Sequence, residues 1–175
     1  MTHRTGENKS IAIHVDLDKS FFYPFSKLCP KWGQIRQRNS AYLEANSDKK
    51  FIWLKEKLAS SFARKASDLD WNYLAEALLC RIAYQKDLPP DIPQETILKY
   101  CDYIAQRMVY QYSCDDESCR LAFGVLLDKL VHSMKHDDGM LRIASCHDGT
   151  ILALLAALKK DDLGWPSYAA TVTFE

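Results

Sequence analysis

The sequence has no run of apolar residues approaching the roughly 20 that a membrane-crossing helix needs. It has no surplus of charge either. Its 23 basic and 23 acidic side chains cancel to a formal net charge of zero, which removes the general electrostatic argument for nucleic acid or an anionic membrane as partner. Glycine and proline are scarce, six of each in 175 residues, and no segment is repetitive or of low complexity. The opening decapeptide MTHRTGENKS lacks the apolar core of a signal peptide and reads as a disordered tail, residues 1–10. None of this assigns a compartment.

What is present suits a soluble globular chain of one ordinary domain with a real core: 47% hydrophobic and 26% charged residues. Six cysteines stand at 29, 80, 101, 114, 119 and 146. Cys114 and Cys119 flank the acidic stretch DDES and could close a small disulfide ring, although reduced, half-buried thiols are the plainer reading. A zinc site would need two more ligands at sensible spacing, and no neighbouring pair supplies them.

Hydrophobic periodicity places four helices in the middle of the chain. Residues 49–67 space Phe51, Leu54, Leu58 and Phe62 by threes and fours. Residues 71–85 do the same with Leu74, Leu78 and Ile82, until the prolines of DLPPDIP break the pattern. Residues 94–112 carry Ile97, Cys101, Ile104 and Met108 along one stripe, and residues 119–136 form the fourth helix. FYPFSKLCPKW (22–32), with two prolines, reads as irregular or as a short helical turn. Strand composition appears at the ends, in IAIHV (11–15), from residue 141, and in WPSYAATVTFE (165–175). Trp53, Trp71 and Trp165, with the tyrosines, read as core.

LRIASCHDGTILALLAAL (141–158) reads as a strand running into a helix, with Cys146, His147, Asp148, Gly149 and Thr150 at the joint. Such a joint presents free amide donors and the positive end of the helix dipole, a natural seat for an anion. A histidine there can donate to a phosphate oxygen, and an adjacent carboxylic acid can protonate a leaving oxygen. The plainer alternative is that Asp148 or Thr150 caps the helix.

ASCHDGTILALLAALKKDDLGWPSYAATVTFE resembles the C-terminal segment of the histidine acid phosphatases, the His-Asp branch of the histidine phosphatase superfamily. RLAFGVLLDKLVHSMK resembles that family's helix before the His-Asp strand. LLCRIAYQKDLPPDIPQE resembles its cap-domain helix and proline loop, and FYPFSKLCPKW the segment entering the cap. The resemblance covers roughly residues 13–175 in family order. It implies an α/β fold of histidine-phosphatase type: a mainly helical cap region (11–140), then the last strand-helix-strand of the core sheet (141–175). It also implies a phosphomonoesterase using a phosphohistidine, with His147 and Thr150 holding the phosphate and Asp148 protonating the leaving alcohol. No metal or cofactor is required; the partner is a phosphate monoester or phosphate ion.

The same resemblance exposes what is missing. The family nucleophile lies in an Arg-His-Gly motif with further arginines, and no Arg-His-Gly occurs in these 175 residues. THRTG (2–6) has His3 and Arg4 in the reverse order. The chain therefore reads as a fragment or degenerate member, weak or inactive in hydrolysis, or alternatively as a non-catalytic pseudo-phosphatase or interaction module. A sheet lacking its neighbours would expose an edge strand and favour self-association.

Two further patterns compete. The strand 11–15 followed by Asp16-Leu17-Asp18 resembles the nucleophile motif of magnesium-dependent haloacid-dehalogenase phosphatases, where Asp16 would attack phosphorus and Asp18 act as acid and base. His132 and His136 stand four apart beside Asp137, a spacing that suits a metal. They lack the interior glutamate of a zinc protease and any third ligand, so they read as last-turn histidines favoured by the helix dipole.

Overall fold

The computed structural model describes residues 27–136, 142–160 and 164–174. Among the described residues six α-helices form: α1 (Pro30–Ala45), α2 (Lys49–Ser61), α3 (Trp71–Ala83), α4 (Gln94–Ser113), α5 (Asp116–Lys135) and α6 (Asp148–Ala157). A single 3₁₀ turn, Ala66–Asp68, precedes α3. The helical middle agrees with its periodicity. Leu54, Leu58, Leu74, Leu78, Ile97, Cys101, Ile104 and Met108 are all buried, while Phe51 and Ile82 are half-buried and Phe62, past the end of α2, is 39% exposed.

No strand forms among the described residues, so the α/β architecture with a residual core sheet is overturned in favour of an all-helical one. The reason is the ladder. A strand is stable only when a neighbour takes up its backbone N–H and C=O groups, and none is present among the described residues. Residues 142–146 are exposed loop, with Ile143 at 85%, and residues 165–174 form turns and loop. The third candidate strand, 11–15, lies outside the described residues, as do His3, Arg4, Asp16 and Asp18. The edge-strand basis for self-association lapses with the sheet. Among the described residues of 141–175, α6 is the regular element present. No helix among the described residues is long and apolar enough to cross a membrane.

Helix α4 is the hub, in contact with α1, α3, α5 and α6. One apolar cluster joins Trp32 and Ile35 of α1 with Met108, Val109, Tyr112, Phe123, Leu126 and Leu152. The other joins Leu54, Leu58, Leu74 and Leu78 with Ile97, Tyr100, Cys101 and Ile104. Trp165 packs on both. The preceding Gly164 has φ +68°, and a Cβ there would meet Asp102 Oδ1 at 3.0 Å, so glycine is needed to bring the indole in.

Helix α1 covers residues that the apolar pattern leaves without an element. Its buried face is Trp32, Ile35 and Asn39, with a polar side chain where periodicity looks for an apolar one. Asn39 is satisfied there, its Nδ2 donating to Gln111 O at 3.0 Å and Ser118 Oγ at 3.3 Å. The three tryptophans expected in the core are less buried than that: Trp53 is 56% exposed, and Trp71 and Trp165 are half-buried. Tyr42, Tyr73, Tyr84 and Tyr168 are likewise on the surface.

Aspartates start three helices. Asp48 Oδ1 accepts from Lys50 N, Asp70 Oδ1 from Asn72 N, and Asp115 Oδ1 from Ser118 N, at 2.7–2.8 Å. Three helices stop in the same way. Arg64 N donates to Ala59 O, Lys86 N to Arg81 O and Lys160 N to Leu155 O. In each case the residue before that donor, Ala63, Gln85 or Lys159, is left-handed (φ 50–56°) without being glycine. Helix α3 therefore ends at this turn, ahead of the prolines expected to break it.

The Asp115 carboxyl is held at about 2 by hydrogen bonds from the Ser118 side chain and backbone, with Arg38 adding to them. Folding favours its charged form, so its stabilisation is whole above the unfolded value near 4 and is lost as pH falls towards 2. Asp115→Ala should cost about 1 kcal/mol at pH 7, and the gap from the parent should close in acid. Urea titrations at pH 7 and pH 2.5 check this; an equal gap at both would refute it.

Candidate functional site

The joint at 146–150 survives as the tip of α6. His147 is the N-cap, with extended backbone (φ −103°, ψ 163°), and its side chain makes no capping bond. Its carbonyl accepts from Thr150 N at 3.0 Å and Ile151 N at 3.2 Å. The imidazole is exposed and Asp148 half-buried, while Gly149 and Thr150 are buried. Leu152, Ala153, Leu154 and Ala156 are buried in turn, and α6 packs on α4 and α5. The tip is therefore mounted on the core.

The anion seat is not vacant in the way the bare spacing suggests. Asp148 Oδ1 accepts from Gly149 N at 2.7 Å, so the protein's own carboxylate already meets one of the donors at the positive end of the helix. Thr150, 2% exposed, bonds with the Cys146 side chain and faces the interior. Burial pushes the Cys146 thiol up, with Thr150 acting against it. Of the three residues the sequence singles out, His147 alone is openly accessible.

Two residues join this corner that the sequence did not mark. Glu76 on α3 has its carboxyl raised by partial burial, then by Asp148 and Asp70, with His147 opposing. Four residues on, along the same side of α3, Cys80 Sγ lies 2.8 Å from the Tyr168 hydroxyl. That contact, followed by burial, pushes Tyr168 up to about 12. Glu76 and Cys80 lie outside the apolar stripe, and a carboxylate or thiol there looks like any other exposed helix residue. Nothing in the pattern would have found them.

A second polar region lies between α1, α3 and α4, a cavity of about 160 Å3 lined in part by Glu44, Asp70, Trp71, Arg107 and Gln111. Arg107 is its buried cation. Nη1 donates to Leu43 O at 2.9 Å, Ser47 Oγ at 2.7 Å and Tyr103 Oη at 3.3 Å, and Nη2 to Glu44 Oε1 at 2.7 Å. The guanidinium lies 4.8 Å from the Trp71 ring centre, and Lys55 Nζ lies 4.6 Å from the same ring. Burial lowers Lys55; Glu44 and Asp70 pull it up, and Arg107 pushes it down. This arginine is committed to holding helices together and is not a free phosphate clamp.

The cysteines are unpaired, including Cys114 and Cys119, so no ring closes around DDES. Burial pushes the Cys101 thiol up to about 12, which makes it a packing residue and a poor nucleophile. Among the described residues no group of three or more His, Cys, Asp or Glu side chains is placed to hold a metal ion. No family model matches the chain, and comparison with curated proteins and with solved structures gives no significant match.

Proposed function

We propose that the tip of α6 is the phosphate-facing corner of a phosphomonoester hydrolase, with His147 contacting the phosphoryl group and Asp148 protonating the leaving alcohol. The observation that carries the reading is the pairing itself. An exposed imidazole and a half-buried carboxyl occupy successive positions at the start of a core-mounted helix. That arrangement fixes where a proton donor stands relative to a bound anion, which is the part of catalysis a scaffold must supply. The Gly149 amide holds Asp148 Oδ1, leaving the second carboxyl oxygen to carry a proton. With no Arg-His-Gly among the 175 residues, the chain alone hydrolyses little or nothing.

One observation favours the alternative, a phosphatase-like interaction module without catalysis. Among the described residues, the groups that shift Glu76 at this corner are Asp148, Asp70 and His147, with no arginine or lysine among them. Catalysis of phosphoryl transfer needs cations where charge develops.

The test is a melting experiment with inorganic phosphate or vanadate, followed by an assay on an aryl phosphate at mildly acidic pH without added metal. At ten times its dissociation constant a ligand stabilises by about 1.4 kcal/mol, which raises the melting midpoint by about 3–5 °C for a chain of this size. His147→Ala should abolish that shift. Asp148→Asn should keep or enlarge it, because a negative neighbour is removed, while eliminating any turnover. Protection that His147→Ala leaves intact would defeat the reading; protection without turnover would favour the interaction module.

A further inference from the structure

The C-terminal end of α5 carries a feature separate from the α6 tip. His132 lies in the last turn and His136 at the C-cap, whose amide donates to His132 O at 3.1 Å. Both imidazoles are exposed. Their ring centres are 4.3 Å apart and the planes tilted by 48°, so they lean together without stacking flat.

We propose that His132 and His136 chelate one divalent transition-metal ion of the copper or nickel type. The ring separation fits one geometry better than another. A metal about 2.0 Å from a ring nitrogen stands about 3.1 Å from that ring's centre; two rings bound at right angles then have centres about 4.5 Å apart, against about 5 Å in a tetrahedral site. The observed 4.3 Å is close to the right-angled value, that of adjacent positions in a square or octahedral shell. Imidazole is a good donor for copper and nickel, and the affinity order of first-row ions peaks at copper.

Local electrostatics help. Carbonyl groups at a helix C-terminus are its negative end and favour a cation within the last turn. Lys129 and Lys135 stand on the same segment and oppose it, which limits the affinity. The chelate is two-point, since no third protein donor completes the set among the described residues, and water fills the remaining positions. The ion would tie residue 136 to residue 132 and hold the last turn of α5 against fraying.

The full chain should be titrated with copper(II), and separately with nickel(II), in a His3→Ala background that removes a histidine able to compete near the amino end. The expected result is one ion per chain, two imidazole nitrogens in the copper paramagnetic resonance spectrum, and a higher melting midpoint with metal. Either His132→Ala or His136→Ala should weaken binding at least tenfold, and His14→Ala should not. Both side chains are exposed, so these variants should fold as the parent does, checked by circular dichroism. Affinity unchanged by both substitutions, one ion per two chains, or a single nitrogen ligand would overturn the assignment.

Discussion

Replacing Arg107 by alanine should lower the unfolding free energy by about 3 kcal/mol, a large share of what a domain of this size possesses. The side chain is 9% exposed and joins the end of α1 to α4 through Leu43 O, Ser47 and Glu44. Removing it leaves a backbone carbonyl and a hydroxyl short of their donor and opens space beside Trp71. The carboxylate is the lesser partner. Glu44 is 58% exposed, so water can take over its solvation, and Glu44→Gln should cost under about 1 kcal/mol. Arg107→Lys should fall between, because one ammonium cannot reproduce a planar fork with donors on several sides. Urea denaturation of the three variants tests the ranking. Equal effects for Arg107→Ala and Glu44→Gln would mean that the contact acts only as a surface ion pair.

Trp32→Ala should cost about 3–5 kcal/mol, the usual range for deleting a large buried aromatic side chain. Trp32 is 1% exposed, stacks on Tyr112 with ring centres 5.8 Å apart, and anchors α1 in the cluster containing Phe123 and Leu126. Few other apolar groups hold α1, since its remaining buried residues are Ile35 and Asn39. The loss should therefore be local as well as global: amide exchange in residues 30–45 should accelerate more than in α4. A cost under about 1 kcal/mol, with α1 amides unaffected, would show that α1 does not depend on this anchor.

These two residues mark the limit of what the pattern conveys. The helices with an unbroken apolar stripe, α2 to α5, are legible because burial along one face repeats every three or four residues. Helix α1 is not, because its third inward position is Asn39, whose role depends on Gln111 and Ser118 far along the chain. Arg107 is hidden for a related reason: next to the stripe through Ile104 and Met108 it looks solvated, until Trp71, Tyr103 and Glu44 arrive from elsewhere. The strand readings failed because composition reports how well a segment would fit a sheet, and gives no partner strand. At the candidate site, the order His147-Asp148 and the helix that follows were legible. The burial of Thr150 and the approach of Glu76 were not, being consequences of how α3 and α6 pack on α4.

The left-handed stops at Ala63, Gln85 and Lys159 bear on how this fold is specified. Holding a side chain in that backbone region costs about 1 kcal/mol at each position. Part of the cost is offset by the bond each turn closes, from the Arg64, Lys86 or Lys160 amide to a carbonyl in the last turn of its own helix. The ends of α2, α3 and α6 are thus closed by local hydrogen bonds around a left-handed residue, so a glycine-poor sequence can still turn its corners.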